Sequence, residues 1–277
     1  MGEESNDHSE KEYAEQLLKT GRLLEGAIRQ AIRALQLEQG SVGLDAGCGI
    51  GTHTIHLGEA VGPGGKVTGL DISPGLLDFA KKTAQQSGML GKLDFQQSDM
   101  LDLPFEDDTF DWVWCKDSLW LGLGKDPVVG LKEFARVVRP GGIIAVLYWS
   151  SQMLLPGYPE LEARLMVAFT ETTPYLKGVR PDRHFLRALG WMQSVGLQDI
   201  GVRTFAADAH APLAPEIRDA IGTCFQMFFG NLEPHVSKED WALFQKLCNP
   251  ESDDYLLKRP DYYCFLNYSM FYGRVAG

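Results

Sequence analysis

The sequence predicts an α/β protein built on a doubly wound sheet of parallel strands. Short apolar runs alternate with amphipathic helical stretches over residues 41–149, and glycine or Ser-Pro and Asp-Pro pairs separate them. Strands that alternate with helices in this way pair in parallel through crossover connections. Because 277 residues are many for one minimal domain, we expect one core domain that carries insertions.

The predicted elements follow one another regularly up to residue 149. An amphipathic helix is predicted over 22–37, where apolar residues recur at helical spacing until Gly40 ends the pattern. Further helices begin at Thr52, at Ser73-Pro74 and at Asp126-Pro127, and the last two pairs each supply an N-cap and a first-turn proline. The five strands predicted between these helices are 41–46, 66–71, 93–99, 110–115 and 141–149.

Beyond residue 149 the alternation becomes irregular. Helices are predicted at 160–170, 183–195, 216–229 and 237–248, and further strands at 199–207 and 264–275. We therefore divide the chain into N-terminal cap helices (1–40), a ligand-binding core with an irregular insertion at about 150–180 (41–208), a helical cap insertion (209–260) and a final core strand (261–277).

Composition and charge exclude several classes of function. The formal net charge is −11, and no Lys/Arg stripe offers a surface for nucleic acid or an anionic membrane. The acidic start of the chain is unlike a signal peptide, and the longest apolar run, 143–149, is far too short to span a bilayer. We expect a cytoplasmic protein without membrane insertion that acts on a small molecule.

Cysteine and histidine spacing argues against structural disulfides and metal. The five cysteines are odd in number and include no closely spaced pair, which is untypical of a disulfide framework or a zinc site. His53 and His56 lie one helical turn apart, but packing or a surface position explains that spacing better than a metal does. We predict no metal.

A glycine-rich loop indicates where a ligand binds. The segment LDAGCGIG (44–51) places glycines where a strand turns into a helix, which lets the backbone approach a ligand closely. The dinucleotide pattern fails, because Thr52 and Thr54 stand where its last glycine or alanine would be. Asp71 ends the next strand twenty residues after Gly51, where an acidic side chain accepts hydrogen bonds from ribose hydroxyls. An adenosyl ligand without a 2′-phosphate fits best.

Four motifs in order resemble the class I S-adenosylmethionine-dependent methyltransferases. They are VGLDAGCGIGTHTIHL (42–57), GLDIS (69–73), QQSDMLDLPFEDDTFDWVWCKDSL (96–119) and LKEFARVVRPGGIIAVLYW (131–149). These motifs are most similar to those of the ubiquinone/menaquinone-biosynthesis-like, small-molecule "type 11" branch. The resemblance covers most of residues 40–150 and implies S-adenosylmethionine as cofactor, S-adenosylhomocysteine as product, and a Rossmann-like sheet of seven strands with the last one antiparallel.

The resemblance also implies which residues contact the adenosine part of the cofactor. Asp71 would hold the ribose, and Ile72 would cover the adenine face. Asp99 and Met100 would contact the adenine edge, and the alternative for Asp99 is one more surface acid in a segment rich in acids. Tyr13 would close the site from the N-terminal helix.

A second group of residues is implied at the methionine end of the cofactor. The methionine moiety would lie along the backbone of Gly47, Cys48 and Gly49. Asp45 would orient its amino group through a water, and Lys116 would offer its backbone carbonyl to the same group. Asp45 also has a simpler interpretation as a residue that caps the following turn.

Methyl transfer from a sulfonium depends mainly on alignment and on exclusion of water. A general base adds less, so the lack of an obvious base does not argue against activity. Candidate bases are Asp117 after the fourth strand, Tyr148 or Tyr158 near the exit of the fifth, and His184 before the next helix. His184 can also be a helix-start residue without a catalytic role.

Large apolar residues of the cap suggest an apolar methyl acceptor. They fall in the helical pair above the carboxyl ends of the strands, where open α/β sheets bind ligands, although packing within the cap would also explain them. These residues are Phe225, Met227, Phe228, Phe229, Trp241 and Phe244. Trp120 and Trp149 could line the methyl channel or simply pack.

Three other functions compete with a small-molecule methyltransferase. A protein that binds S-adenosylmethionine or S-adenosylhomocysteine without catalysis would keep the same loop. An NAD-dependent dehydrogenase is disfavoured by Thr52 and Thr54. Arsenite methylation would use thiolates such as those of Cys224, Cys248 and Cys264, but no closely spaced cysteine pair is present. The sequence leaves the acceptor, the methylated atom and the oligomeric state open.

Overall fold

The protein is described by a computed structural model that covers residues 2–119, 126–174 and 176–277, with side chains from residue 10 onward. Its sheet has seven strands in the order β3-β2-β1-β4-β5-β7-β6. The first five are parallel to one another, and β7 runs antiparallel to both β5 and β6. The predicted fold class is confirmed. The strands are β1 (Val42–Ala46), β2 (Lys66–Asp71), β3 (Leu93–Gln97), β4 (Phe110–Lys116), β5 (Val138–Met153), β6 (Gln198–His210) and β7 (Tyr263–Arg274).

Helices cover both faces of the sheet, and each face has its own apolar core. The helices are α1 (Gly2–Ala34), α2 (Thr52–Ala60), α3 (Pro74–Gln86), α4 (Pro127–Val137), α5 (Pro159–Thr172), α6 (Ala188–Ser194), α7 (Pro215–Phe229) and α8 (Lys238–Cys248). Buried side chains of α1, α2, α5, α7 and α8 pack on one face, and those of α4 and α6 pack on the other. None of the helices in the described ranges is long and apolar enough to span a bilayer.

Side-chain caps start the helices where the sequence predicts them. The hydroxyl of Ser73 accepts a hydrogen bond from the Leu76 amide at 3.1 Å. Asp126 accepts from the amide of Val128 at 3.0 Å, and Ser237 begins α8 in the same way. These local contacts satisfy amides that the first turn of a helix leaves unpaired. The sequence-based helix starts at these three positions are confirmed.

The N-terminal helix begins much earlier than predicted. The pattern over 22–37 indicates only its second half, whereas α1 is continuous from Gly2 to Ala34. Its first half packs through Ala14 and Leu17 against Ile50 of the glycine loop and Leu76 of α3. This small contact is tertiary, so helical periodicity does not reveal it.

Two elements after the fourth strand also differ from the prediction. β5 runs for 16 residues rather than over 141–149, because β7 pairs with it as far as Met153 across a bulge between Trp149 and Ser151. The helix predicted over 183–195 is two short 3₁₀ turns followed by α6, so that prediction was too long. His184 caps the second of these turns.

Candidate active site

The glycine loop lies at the edge of the sheet where β1, β2 and β4 end. The amides of Gly47 and Cys48 both donate to the carbonyl of Leu70, at 2.7 and 2.9 Å, and fix the loop against β2. Gly47, Gly49 and Gly51 have φ values of +79°, +53° and +77°, which other residues rarely adopt. The predicted glycine loop therefore has the backbone form that a close ligand contact requires.

We predict that Gly47→Ala destabilises the fold more than Gly40→Ala. Both glycines have left-handed φ, +79° and +81°, so both variants share a backbone cost of about 1–2 kcal/mol. A Cβ at Gly47 would lie only 2.3 Å from the Ser118 hydroxyl, whereas one at Gly40 would meet nothing within 4 Å. The overlap should lower the free energy of unfolding by about 1–3 kcal/mol beyond the control, as measured by urea denaturation. Equal losses in the two variants would contradict the close approach.

Asp71 braces the loop and the start of α3 together. Its Oδ2 accepts from the Gly49 amide at 2.9 Å, and its Oδ1 accepts from the Ser73 amide at 3.0 Å. Each oxygen of this half-buried carboxylate retains lone-pair capacity for a further donor. Ile72 follows with 66% of its surface exposed, and its apolar side chain is available to the face of a ring. Both positions fit the adenosine roles that the sequence suggests.

Asp45 is buried at the end of β1, with only 1% of its surface exposed. It accepts a hydrogen bond from the Thr54 hydroxyl at 2.7 Å. Burial raises the pKa of Asp45 to about 7, although Thr54 and the more distant charge of Lys116 act against that shift. Its carboxyl group therefore changes charge near neutral pH, when the cofactor is absent.

Burial also raises the pKa of the Cys48 thiol, so Cys48 is an inert part of the loop.

The segment 116–118 connects β4 with the glycine loop and with β5. Asp117 has φ +51°, and its amide donates to the carbonyl of Leu147 at 2.9 Å. Its carboxylate accepts from the Trp149 amide at 3.0 Å and forms an ion pair with the Lys116 ammonium group. A carboxylate with these partners is better suited to hold β4 and β5 together, as a clamp, than to accept a proton from a substrate.

Lys116 and Ser118 fill the space beside Asp117. The ammonium group of Lys116 lies 4.7 Å from the ring centroid of Tyr268, a cation–π contact. The hydroxyl of Ser118 donates to the carbonyl of Lys116 at 2.8 Å and lies 3.3 Å from the carbonyl of Gly47. The Lys116 carbonyl thus accepts a hydrogen bond from a hydroxyl that also lies close to the glycine loop.

Asp99, Met100 and Tyr13 lie around the rim of this region. Asp99 accepts a hydrogen bond from the Leu101 amide at 3.0 Å. The methyl group of Met100 reaches to 3.2 Å from the position that a Cβ on Gly47 would take. Tyr13 is 45% exposed on the half of α1 where Glu10 accepts a hydrogen bond from Ser73 at 2.8 Å. No sequence pattern predicts this contact of Glu10.

Two of the three other candidate bases, Tyr148 and His184, belong to the opposite face of the sheet, whereas Tyr158 precedes α5 and packs on the face that holds Trp149. Tyr148 is buried in the core formed with α4 and α6, and its ring lies 5.2 Å from that of Phe185. His184 packs on the same phenylalanine at 4.6 Å, and burial lowers its pKa. Trp149, next to Tyr148 in the chain, points to the face that holds Lys116 and Tyr268. Tyr148 and His184 thus both contact Phe185, and their catalytic role stays a prediction.

Three rings from β5, α5 and α7 form what we call the aromatic wall: Trp149, Phe169 and Phe228. Trp149 lies 4.8 Å from Phe228 and 6.3 Å from Phe169 between ring centroids, and the two phenylalanines are 5.5 Å apart. The aromatic wall adjoins Asp117, because the Asp117 carboxylate accepts the hydrogen bond of the Trp149 amide. Of the predicted channel residues, Trp149 lies here, whereas Trp120 is outside the described residues.

The remaining cap aromatics pack mostly among themselves. Phe229 lies 5.9 Å from Phe244, and Trp241 stacks on Phe244 at 5.1 Å. Phe225 is fully buried, and Met227 is exposed on α7. Packing within the cap therefore explains most of this set, and Phe228 is the member that reaches the wall.

Burial keeps the cap cysteines protonated, which does not suit the thiolate binding of arsenic. Cys224 and Cys264 are buried, and burial raises their pKa values to about 12 and about 11, so both remain protonated thiols. Within the described ranges no three His, Cys, Asp or Glu side chains are grouped for a metal. His53, on the first turn of α2, has its pKa lowered well below 6.5 by burial and by Lys116, and is neutral at pH 7.

Known proteins resemble this chain in both sequence and fold. A family described as "Methyltransferase domain" matches residues 44–142. The demethylmenaquinone methyltransferase of Staphylococcus carnosus (strain TM300) is 31% identical over an alignment of 199 residues, and the match covers 66% of this chain and 78% of that protein. A putative methyltransferase from Bacillus halodurans C-125 has a similar fold, with TM-score 0.57, 16% identity, and coverage of 90% of this chain and 99% of the other.

A third similar protein is the geranyl diphosphate C-methyltransferase of Streptomyces coelicolor A3(2), solved with Mg²⁺, geranyl diphosphate and S-adenosyl-L-homocysteine. Its TM-score is 0.52 at 16% identity, and the match covers 91% of this chain and 80% of the other. Together, the fold, the glycine loop and these relatives define an S-adenosylmethionine-dependent methyltransferase. The chain belongs to the class I methyltransferases of the ubiquinone/menaquinone type, as its sequence motifs suggested.

Proposed function

We propose that this enzyme methylates a small apolar acceptor with a ring, similar to the demethylmenaquinone for which its relative is named. The observation that carries the proposal is the aromatic wall, which starts where Asp117 holds the Trp149 amide at 3.0 Å. Tilted and edge-to-face rings at 4.8–6.3 Å offer an apolar ring of a ligand a surface of matching chemistry. Acceptor and cofactor sites would then share segment 116–118.

The cofactor roles in this proposal rest on the geometry of the loop. Asp71 accepts hydrogen bonds from the ribose hydroxyls. It does so through the carboxylate lone pairs that the amides of Gly49 and Ser73 leave available. Ile72 covers one face of the adenine, and Asp99 with Met100 lines its edge. The exposed Tyr13 closes this end from α1.

At the methionine end the chain provides both charge and close backbone contact. Gly47 and Gly49, with Cys48 between them, let the backbone lie against the ligand. Asp45 attracts the amino group, directly or through a water, and gains a full negative charge as it does so. The Lys116 carbonyl is a second acceptor for that group.

S-adenosylmethionine supplies, when bound, a sulfonium methyl group that is already strongly electrophilic. The protein therefore has to position the acceptor and exclude water, and orientation alone can lower a barrier by roughly 7–11 kcal/mol. The aromatic wall orients the acceptor, and the Asp117 clamp fixes the wall relative to the loop. General-base catalysis would add roughly 3–5 kcal/mol. Proton transfer by Asp117, Tyr148 or His184 stays a prediction.

Titration calorimetry and a label-transfer assay test the two parts of the proposal. We expect S-adenosylmethionine and S-adenosylhomocysteine to bind and NAD not to bind. With methyl-labelled S-adenosylmethionine, we expect label in demethylmenaquinone but not in geranyl diphosphate, since Lys116 is neutralised by Asp117 and would not hold a diphosphate. Label in geranyl diphosphate alone would contradict the proposed acceptor. Cofactor binding with no transfer to any ring compound would favour the non-catalytic alternative for this chain.

A further inference from the structure

We infer that Trp149 and Gln152 are specificity-determining residues of the acceptor pocket, which select a ring that carries a hydroxyl group over a plain hydrocarbon ring. The inference rests on the proposed function, because it concerns the pocket beside the aromatic wall. It concerns two polar atoms of β5 that have no role in the sheet itself.

Trp149 and Gln152 lie on the same face of the sheet although they are three positions apart. Residues of one strand share a face at even spacing, but the bulge between Trp149 and Ser151 shifts the register by one. Trp149 therefore pairs with Tyr268 and Gln152 with Leu266, which are two apart on β7 and both face the core under α5 and α7.

Both side chains have a buried polar atom that lacks a hydrogen-bond partner within the described residues. These atoms are the indole Nε1 of Trp149 and the amide Oε1 of Gln152. The amide nitrogen of Gln152 faces Met166 Sδ at 3.4 Å, and a thioether is a weak acceptor. Buried polar groups in folded proteins are nearly always paired, so two such atoms beside one aromatic wall indicate a ligand that completes them.

The chemistry of the two atoms defines the ligand that would fit. An indole N–H only donates, and an amide oxygen only accepts. Ring hydroxyl groups can both accept from Trp149 and donate to Gln152, a ring carbonyl can only accept, and a hydrocarbon can do neither. A site built around hydrogen bonds discriminates strongly against a ligand that lacks them, because its polar groups stay unpaired.

The pocket must open for an acceptor to enter. The rings of Trp149 and Phe228 are 4.8 Å apart and already in contact. Phe169 and Met166 belong to α5 and Phe228 to α7, so these two helices have to move away from β5. Such movement exposes Trp149 Nε1 and Gln152 Oε1 together.

The test compares 1-naphthol with naphthalene, which differ only in one hydroxyl group. Equilibrium dialysis measures the binding of each to the full-length enzyme saturated with S-adenosylhomocysteine. We expect the wild type to bind 1-naphthol at least tenfold more tightly than naphthalene. Trp149→Phe keeps a ring but removes the N–H, and should reduce this preference to about twofold or less. The Trp191→Phe control on the opposite face should keep the preference.

Gln152→Met provides a second variant if Trp149→Phe does not fold, and we expect it to reduce the preference as well. Equal binding of the two probes by the wild type, no saturable binding of 1-naphthol, or an unchanged preference in the folded variants would overturn the inference. Water alone would then complete the hydrogen bonds of Trp149 Nε1 and Gln152 Oε1. Failure of S-adenosylhomocysteine to bind in the prior calorimetric titration would instead count against the proposed function.

Discussion

Asp71→Ala is expected to weaken S-adenosylmethionine binding by roughly 10- to 100-fold. A hydrogen bond to a charged acceptor contributes about 1.5–3 kcal/mol, and the ribose hydroxyls would lose theirs. The substitution also releases the amides of Gly49 and Ser73, which Asp71 holds at 2.9 and 3.0 Å. Titration calorimetry of the variant against the wild type measures the change in Kd.

Asp78→Ala is the matched control for this experiment. Asp78 is an exposed acid on α3 that lies 4.0 Å from the Lys81 ammonium group, an exposed ion pair that contributes little to stability. We expect its Kd to stay within twofold of the wild type. If Asp71→Ala bound the cofactor as tightly as Asp78→Ala does, the ribose assignment would be refuted.

The Kd for S-adenosylmethionine is expected to rise roughly tenfold when the pH falls from 8 to 6. Burial raises the pKa of Asp45 to about 7, so its carboxyl is mostly neutral at pH 6 and mostly ionised at pH 8. A ligand ammonium group prefers the ionised form, and binding therefore strengthens as the pH rises through the pKa. Calorimetric titrations at pH 6, 7 and 8 measure this dependence.

Asp45→Asn separates the titration of this residue from that of the ligand. The amino group of the ligand titrates equally with both proteins, whereas the amide of the variant does not titrate. We expect the variant to bind with the weaker affinity of the neutral carboxyl and without the tenfold change between pH 6 and 8. The same pH dependence in both proteins would assign it to another group.

Features that depend on local chemistry were predictable from the sequence. Ser73 and Asp126 cap helices through their own backbone neighbours, so their neighbouring residues were sufficient to place them. The glycine loop and Asp71 were recognisable for a similar reason, because left-handed φ and a carboxylate at a strand end are needed within one short unit. These residues also indicated the cofactor.

Features that depend on distant partners were not predictable. Asp117 was a candidate base, yet its contacts with Trp149 and Lys116 favour a clamp, and the Trp149 partner follows 32 residues later. The first half of α1 packs through Ala14 against Ile50 and Leu76, which no periodicity in the helix itself reveals.

The sequence by itself thus determined the class of the protein, its sheet and its cofactor loop, because short-range conformational and hydrogen-bonding requirements leave a readable pattern. Only the tertiary structure decided what surrounds the acceptor. Trp149, Phe169 and Phe228 come from three separate elements, and their rings meet only when α5 and α7 pack on β5. The bulge that turns Gln152 to the same face arises from pairing with β7, more than a hundred residues further along the chain.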